Sequence, residues 1–384
     1  MINYAKHSIS NDDIEAVVDV LKNKSLTQGG LSQVFENQLI AKVNCKYSLA
    51  VNSATSALHL ACLALNLRPS DWLWTTPISF VASANCGLYC GSQVDFVDID
   101  PNTGLMSVEL LALKLEDASK QDLLPKIVVP VHLGGTSCDM KAIFELSKKY
   151  GFHIVEDASH AIGASYCGIP VGSCQFSDIT IFSFHPAKII TTAEGGALCT
   201  NSQSIARRAR LLSSHGIEKD KSSFIHTQTD SWVYEQQFLG FNYRLSDLQA
   251  ALGVSQLQRL DLYVATRNNI HDYYLANTKE ANFRFLDTPY TCYSSRHLSI
   301  IRLKDTSDEF HRYVFDNLRS KGIFVQLHYL PIHLQPYYRN LGFNVGDFPC
   351  SEAYAKNAIS LPIYPDLQQV DQEFVINSLA ELTA

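Results

Sequence analysis

Between residues 10 and 215 the chain switches repeatedly between short β-branched runs and longer segments of helical period, an alternation that few architectures accept. It predicts strands over 48–51, 73–76, 94–97, 127–131, 153–156, 179–182 and 197–200. The helices predicted between them are 12–22 behind a Ser10 cap, 32–43, 55–66, 79–89, 108–115, 140–150 and 204–213. Strands that are apolar throughout and separated by helices belong to an α/β fold with a mostly parallel central sheet covered on both faces. In such sheets ligands bind beyond the carboxyl ends of the strands, so the chemistry is expected where strands hand over to helices.

The texture changes after residue 215. A polar stretch over 218–237, rich in Ser, Thr, Asp and Gln, reads as a long excursion loop, and a long amphipathic helix is predicted over 245–274. A strand near 297–303, a helix near 308–321 and a last helix near 368–382 follow, so a smaller α+β domain is expected after a large one, divided as 1–250 and 251–384. With 46% hydrophobic and 18% charged residues over 384 positions, the sequence can bury a full core. Its formal charge of −7 leaves no electrostatic footprint for nucleic acid or an anionic membrane, and no run approaches the roughly 18 apolar residues of a membrane span. The stretch Met1-Ile2-Asn3-Tyr4-Ala5-Lys6 lacks the apolar core of a signal peptide, and a cytoplasmic location is expected. The ten cysteines fit it. They are scattered through hydrophobic segments (Cys45, Cys62, Cys86, Cys90, Cys138, Cys199) with no CxxC pair or zinc-type spacing, and read as buried reduced thiols. Cys86 and Cys90 could share a helix face, but no disulfide is expected there.

Chemistry concentrates between Phe182 and Gly196. Lys188 sits there between a predicted strand and a Gly-Gly turn, in a stretch with few charges, where partial desolvation lowers an amine's pKa toward what a Schiff-base lysine needs. A surface lysine on a loop is the plain alternative. Upstream, in Val155-Glu156-Asp157-Ala158-Ser159-His160-Ala161, Asp157 ends a buried strand, and by itself reads as a helix N-cap. Pyridoxal phosphate needs both residue types, a lysine for its aldehyde and a carboxylate that keeps its pyridine nitrogen protonated. In Asn52-Ser53-Ala54-Thr55-Ser56 a strand turns into a helix through small hydroxyl residues, which suits a phosphate on the first helical amides as well as an ordinary cap. Phe80, near the head of the next helix, could stack on a flat ring or fill the core. His185 and Glu194, flanking the lysine, read as structural. His328 and His333 are five apart, which does not suit a helical metal site, and no metal is expected.

Taken in order, Leu26-Thr27-Gln28-Gly29, Asn52-Ser53-Ala54-Thr55-Ser56-Ala57, Thr75-Thr76-Pro77-Ile78-Ser79-Phe80-Val81-Ala82, Glu156-Asp157-Ala158-Ser159-His160-Ala161, the Phe182 to Gly196 segment, Asn242-Tyr243-Arg244-Leu245 and His328-Tyr329-Leu330-Pro331-Ile332 carry a resemblance. Over essentially the whole chain the sequence resembles the DegT/StrS type of pyridoxal-phosphate-dependent sugar aminotransferase. The resemblance implies a fold type I PLP-dependent transferase that works as a homodimer with active sites at the subunit interface. Lys188 would hold the cofactor, Asp157 would pair with the pyridine nitrogen and His160 would lie near the ring's phenolic side. Ser183 and the Ala54 and Thr55 amides would hold the phosphate, Phe80 would cover the ring, and Asn242 would reach the phosphate from the neighbouring subunit. Tyr4, the stretch of Lys24, Ser25, Leu26 and Thr27, and the stretch of His328, Tyr329, Leu330 and Pro331 would line the nucleotide-sugar site.

Ala54 stands where many relatives carry Gly, and it matches the pseudaminic acid branch of the family. That branch implies transfer of the L-glutamate amine to C4 of a UDP-linked 2-acetamido-2,6-dideoxy-4-hexulose of L-arabino configuration, with 2-oxoglutarate as the second product. One rival is a transaminase of another UDP- or dTDP-linked 4-keto or 3-keto sugar. Another is a non-catalytic regulator that only binds the cofactor or the sugar, against which the retained Lys188 argues. A Rossmann dehydrogenase would need a GxGxxG turn, which the sequence lacks.

Overall fold

A computed structural model describes residues 1–226, 230–278, 281–304 and 307–384. The chain opens with β1 (Ile2–Asn3), α1 (Asn11–Asn23) and α2 (Leu31–Val43). It then alternates through β2 (Tyr47–Val51), α3 (Ala54–Ala64), β3 (Trp72–Thr75), α4 (Ala82–Tyr89), β4 (Gln93–Phe96), α5 (Val108–Ser119), β5 (Ile127–Val128), α6 (Met140–Tyr150) and β6 (His153–Asp157). A small hairpin, β7 (Ser165–Tyr166) and β8 (Ile169–Pro170), precedes β9 (Ile179–Ser183), β10 (Gly196–Thr200) and α7 (Gln203–Ser213). Seven strands form one sheet in the order β2-β10-β9-β6-β5-β3-β4, parallel except for β10, which runs against both neighbours. This is the α/β fold read from the alternation.

The sheet is apolar on both faces because both are covered. In β10, Ala197 and Cys199 pack with Phe35 and Leu39 of α2, while Leu198 between them packs with Leu58 and Ala61 of α3 and Leu212 of α7. Each large side chain buried this way contributes about 1.5–3 kcal/mol. Gly196 pairs with Val51 at the end of β2 and with Ser183 at the end of β9, so the 184–195 connection and the start of α3 share one edge of the sheet. Only glycine fits at 196, where a Cβ would stand 2.5 Å from the Ala54 backbone nitrogen.

Strands β11 (Ile217–Glu218) and β12 (Glu235–Gln236) close the base of the polar excursion, of which residues 227–229 lie outside the described ones. Then follow α8 (Asp247–Leu257), α9 (Leu260–Asn277), β13 (Phe283–Phe285), β14 (Cys292–Tyr293), β15 (Ser299–Leu303), α10 (Asp308–Ser320) and β16 (Ile323–Phe324). Two short helices, α11 (Pro336–Arg339) and α12 (Pro349–Ala355), lead to β17 (Ala358–Leu361) and α13 (Gln369–Leu382). Antiparallel β13, β15 and β17 share a core with Tyr274 of α9, Val314 and Leu318 of α10, and Val375 and Leu379 of α13. Ile2 joins that core because β1 pairs in parallel with β16. Among the described residues no helix is long and apolar enough to cross a membrane.

Several elements depart from expectation. The strand expected over 127–131 stops at Val128, since Pro130 has no N–H for a ladder, although the Val129 N–H still reaches the Trp74 carbonyl at 2.7 Å. The helix expected from 79 starts at Ala82, because Ser79 is turned inward onto Ser83 at 2.6 Å. The helix expected over 245–274 is two helices: the chain tightens at Gln258 and Arg259, whose N–H groups bond the Ser255 and Gln256 carbonyls three residues back. Not every cysteine is buried. Cys167 is exposed, because it forms the β7–β8 turn with Gly168, both at positive φ, and Cys90, Cys292 and Cys350 keep partial exposure; all ten thiols are free.

Helix α1 is fastened to the α8–α9 junction by one buried carboxylate. The Asp13 side chain accepts from the Ser10 N–H at 2.9 Å, from Gln256 Nε2 at 2.7 Å and from Arg259 Nη2 at 2.5 Å. Burial pulls the Asp13 pKa up, but hydrogen bonds from Ser10, Ser255, Arg259 and Gln256 outweigh it and hold the carboxyl below its usual range. A depressed folded pKa gives stability that is complete above the unfolded value of about 3.9 and is lost as pH falls through the folded one. Denaturant unfolding at a series of pH values should show that acid loss, and Asp13→Asn should flatten it. At neutral pH the same change should cost roughly 2–3 kcal/mol, less than a fully buried pair because Arg259 keeps some solvent.

Candidate active site

The edge where Gly196 meets Val51 and Ser183 opens into a cavity of about 370 Å³. Lys188, on the β9–β10 connection, lines it and is partly buried. Among the described residues no hydrogen bond or ion pair holds its amine. Withdrawal from solvent lowers its pKa to about 8, with the Asp157 carboxylate pulling the other way.

Asp157, at the carboxyl end of β6, is buried on the same cavity wall. Its Oδ2 accepts from the Ser83 hydroxyl at 2.6 Å and its Oδ1 from the Ser159 N–H at 3.1 Å, so the carboxylate is fixed in orientation. Ser53 caps α3, its Oγ accepting from the Ser56 N–H at 3.1 Å. The amides of Ala54 and Thr55 therefore face the cavity with no intrahelical acceptor, at the positive end of the helix dipole. Ser183 stands on the same wall. An amine of lowered pKa, an oriented carboxylate and a helix start with free amides match the aldehyde, the pyridine nitrogen and the phosphate of pyridoxal phosphate.

The far wall comes from the C-terminal part. His328 donates to or accepts from Ser360 Oγ at 2.8 Å, and burial, with Lys188 adding, pushes its pKa down to about 3. Tyr4 packs on the His328 ring at 5.1 Å, and Tyr329 lies 6.4 Å from the Phe80 ring, which is 59% exposed at the cavity mouth. His160 is buried and within hydrogen-bond reach of Tyr329 at 3.2 Å.

Other expected residues stand elsewhere in the single chain. Lys24, Ser25, Leu26 and Thr27 are exposed and off the cavity, with Lys24 paired to Asp19 at 2.7 Å. The Asn242 side chain is exposed, and only its carbonyl approaches the α3 turn, accepting from Asn52 Nδ2 at 3.4 Å. Leu330 faces a separate groove with Leu334 and Val345, and Pro331 is buried where a short 3-10 turn begins. His333 pairs with Glu352 at 3.0 Å, away from His328. His185 and Glu194, read as structural, both line the cavity.

Sequence reasoning passed over His297, buried on the cavity with its ring 4.4 Å from that of His160 and its Nδ1 without a partner among the described residues. It also passed over Ser83 and the Gly134-Gly135 turn, whose doubled glycine just past a predicted strand was the available signal.

Residues 7–380 match the DegT/DnrJ/EryC1/StrS aminotransferase family. A UDP-4-amino-4,6-dideoxy-N-acetyl-beta-L-altrosamine transaminase of Campylobacter jejuni is 38% identical over 386 residues, covering 99% of this chain and 96% of the relative. PseC of Helicobacter pylori, an aminotransferase involved in the biosynthesis of pseudoaminic acid, superposes with a TM-score of 0.90 at 31% identity, covering 100% of this chain and 99% of that one. Spr1654 of Streptococcus pneumoniae, solved in a PMP form, gives a TM-score of 0.91 at 28% identity, again covering 100% and 99%. With the family match running almost end to end over a chain whose cavity gathers Lys188, Asp157 and the start of α3, this chain belongs to the DegT/DnrJ/EryC1/StrS family and is a PLP-dependent sugar aminotransferase.

Proposed function

We propose that this aminotransferase moves the amine of L-glutamate to C4 of UDP-2-acetamido-2,6-dideoxy-β-L-arabino-hex-4-ulose, giving UDP-4-amino-4,6-dideoxy-N-acetyl-β-L-altrosamine in pseudaminic acid biosynthesis, as a homodimer with shared sites. The observation that carries the chemistry is the Lys188 amine, without a partner among the described residues, on one cavity with Asp157 and the start of α3. The choice of sugar is supported by the Campylobacter jejuni and Helicobacter pylori relatives, whose names point to that pathway.

When bound, pyridoxal phosphate supplies an aldehyde for amines and a ring that accepts electrons. Lys188 would hold the aldehyde, and its amine would move the proton at the substrate carbon, first as base and then as acid. A pKa near 8 leaves an appreciable fraction of free amine at neutral pH. Asp157, held by Ser83 and Ser159, keeps the pyridine nitrogen protonated. The Ala54 and Thr55 amides and the Ser183 hydroxyl would hold the phosphate, and Phe80 and His160, on the same cavity, would hold the ring. Tyr4, His328 and Tyr329 receive the sugar. Asn242 is assigned to the phosphate of the neighbouring subunit, and the stretch from Lys24 to Thr27 to the nucleotide-sugar site.

Borohydride treatment of the holoenzyme should fix the cofactor to the peptide containing Lys188, and Lys188→Ala should carry no such adduct. Asp157→Asn should retain cofactor yet turn over slower by on the order of a hundredfold or more, since an uncharged partner no longer favours the protonated pyridine. Normal kinetics in that variant would remove Asp157 from the site.

Mixing an Asn242→Ala chain with an inactive Lys188→Ala chain should restore part of the activity, because one site of each mixed dimer keeps both residues. No recovery after verified subunit exchange would count against a shared site.

NMR of products from a panel of UDP- and dTDP-linked ketosugars should show the amine at C4 of the UDP-linked L-arabino substrate. A 3-keto isomer presents its carbonyl one ring carbon away, and a displacement of about 1 Å costs on the order of a hundredfold in rate. Efficient amination of the 3-keto sugar would overturn the C4 assignment.

A further inference from the structure

Four histidines line the cavity, the exposed His185 and the buried His160, His297 and His328, and the backbone sets the proton of one of the buried three. The Gly134 N–H donates to His160 Nδ1 at 3.2 Å. A ring nitrogen that accepts a hydrogen bond carries no proton, so the proton of the neutral ring is on Nε2. That nitrogen lies 3.2 Å from Tyr329 Oη, the two ring planes only 22° apart. His160 is therefore the donor and the Tyr329 oxygen the acceptor. A phenol that accepts from histidine keeps its own hydrogen for another group, and among the described residues no protein atom takes it. The loop is shaped for this contact. Gly134 sits at φ 65° and Gly135 at φ 100°, and a Cβ on Gly135 would stand 2.5 Å from Ser295 Oγ and 3.1 Å from the His160 carbonyl oxygen.

The surroundings keep the polarity from reversing. His160 faces Lys188, His297, His328 and Tyr329; burial first, then the charges of Lys188 and His328, hold its pKa well below the usual imidazole range. Burial and the Asp157 carboxylate raise that of Tyr329. At neutral pH the pair thus offers the cavity one O–H donor. A neutral donor is worth most where negative charge develops during reaction, as on a carbonyl oxygen while an amine adds to its carbon, and less toward a carboxylate that is charged throughout.

We propose that Tyr329 is a specificity-determining residue that donates a hydrogen bond to the ketone oxygen of the sugar, with Gly134 acting through His160 as the positioning group. The inference rests on the assignment of a ketosugar as amine acceptor. Two measurements test it. In 15N NMR of histidine-labelled holoenzyme, with His160→Asn identifying the signal, His160 should be protonated on Nε2 only across about pH 6 to 8. In stopped-flow half-reactions of folded Tyr329→Phe holoenzyme, the ketosugar half should slow about tenfold more than the glutamate half. An Nδ1-protonated or titrating His160 would overturn the proposal, and so would equal slowing of both halves or slowing of neither. Absence of any ketosugar turnover by the wild-type enzyme would show separately that the functional reading has failed, and would take this inference with it.

Discussion

Strand β10 runs against both neighbours in a sheet that is otherwise parallel, and the site depends on that reversal. Because β9 ends and β10 begins at one edge, the connection between them cannot leave it, and Lys188 is confined to the edge where parallel strands present their carboxyl ends. Because β2 ends beside Gly196 in the same register, α3 starts there with its first amides free. Asp157 pairs in register with Ile181, two residues below the end of β9, and so rises from the floor of the same edge. Three segments far apart in sequence are thereby set at one level by hydrogen-bond register alone.

The cavity works with few charges. Lys188, Asp157 and Glu194 line it, while its three buried histidines, His160, His297 and His328, are held neutral by burial. In such surroundings each interaction is stronger than in water, and each unpaired group costs more. The cavity makes use of that condition through an amine partly relieved of its proton, and through hydroxyl and amide donors in place of cations. The neighbouring Glu156 points the opposite way from Asp157, into a buried network with His132 at 2.8 Å and Thr180 at 2.8 Å, which stiffens the strand that carries the functional carboxylate.

Most of the central sheet was legible because its strands are apolar on both faces, a pattern that exposed loops do not imitate, and the helices between them carry ordinary caps such as Ser10 and Ser107. Lys188, Asp157 and the Ser53 turn were legible as residues whose chemistry is unusual for their position. What could not be read depends on partners distant in sequence. The break between α8 and α9 follows from a tightened turn at Arg259, whose side chain is drawn to Asp13, and no local residue marks it. His297 looks like any histidine at the start of a strand until the segment before β15 and the His160 segment are brought together. The excursion's strands are two residues each, too short for any period to register.

The pairing of β1 with β16 gives the chain an order of assembly. Ile2 and Asn3 leave the ribosome before the sheet strands do, yet their ladder partners, Ile323 and Phe324, follow only after all seven of those strands. A growing polypeptide can close the seven-stranded sheet while those first residues still have nothing to pair with. Tyr4 follows them directly and belongs to the cavity wall, as do His328 and Tyr329 just beyond β16. The binding wall is thus completed only when the Tyr4 segment meets the one that carries His328 and Tyr329, and a nascent chain that already has Lys188 and Asp157 in place has no finished pocket until that later segment has been made.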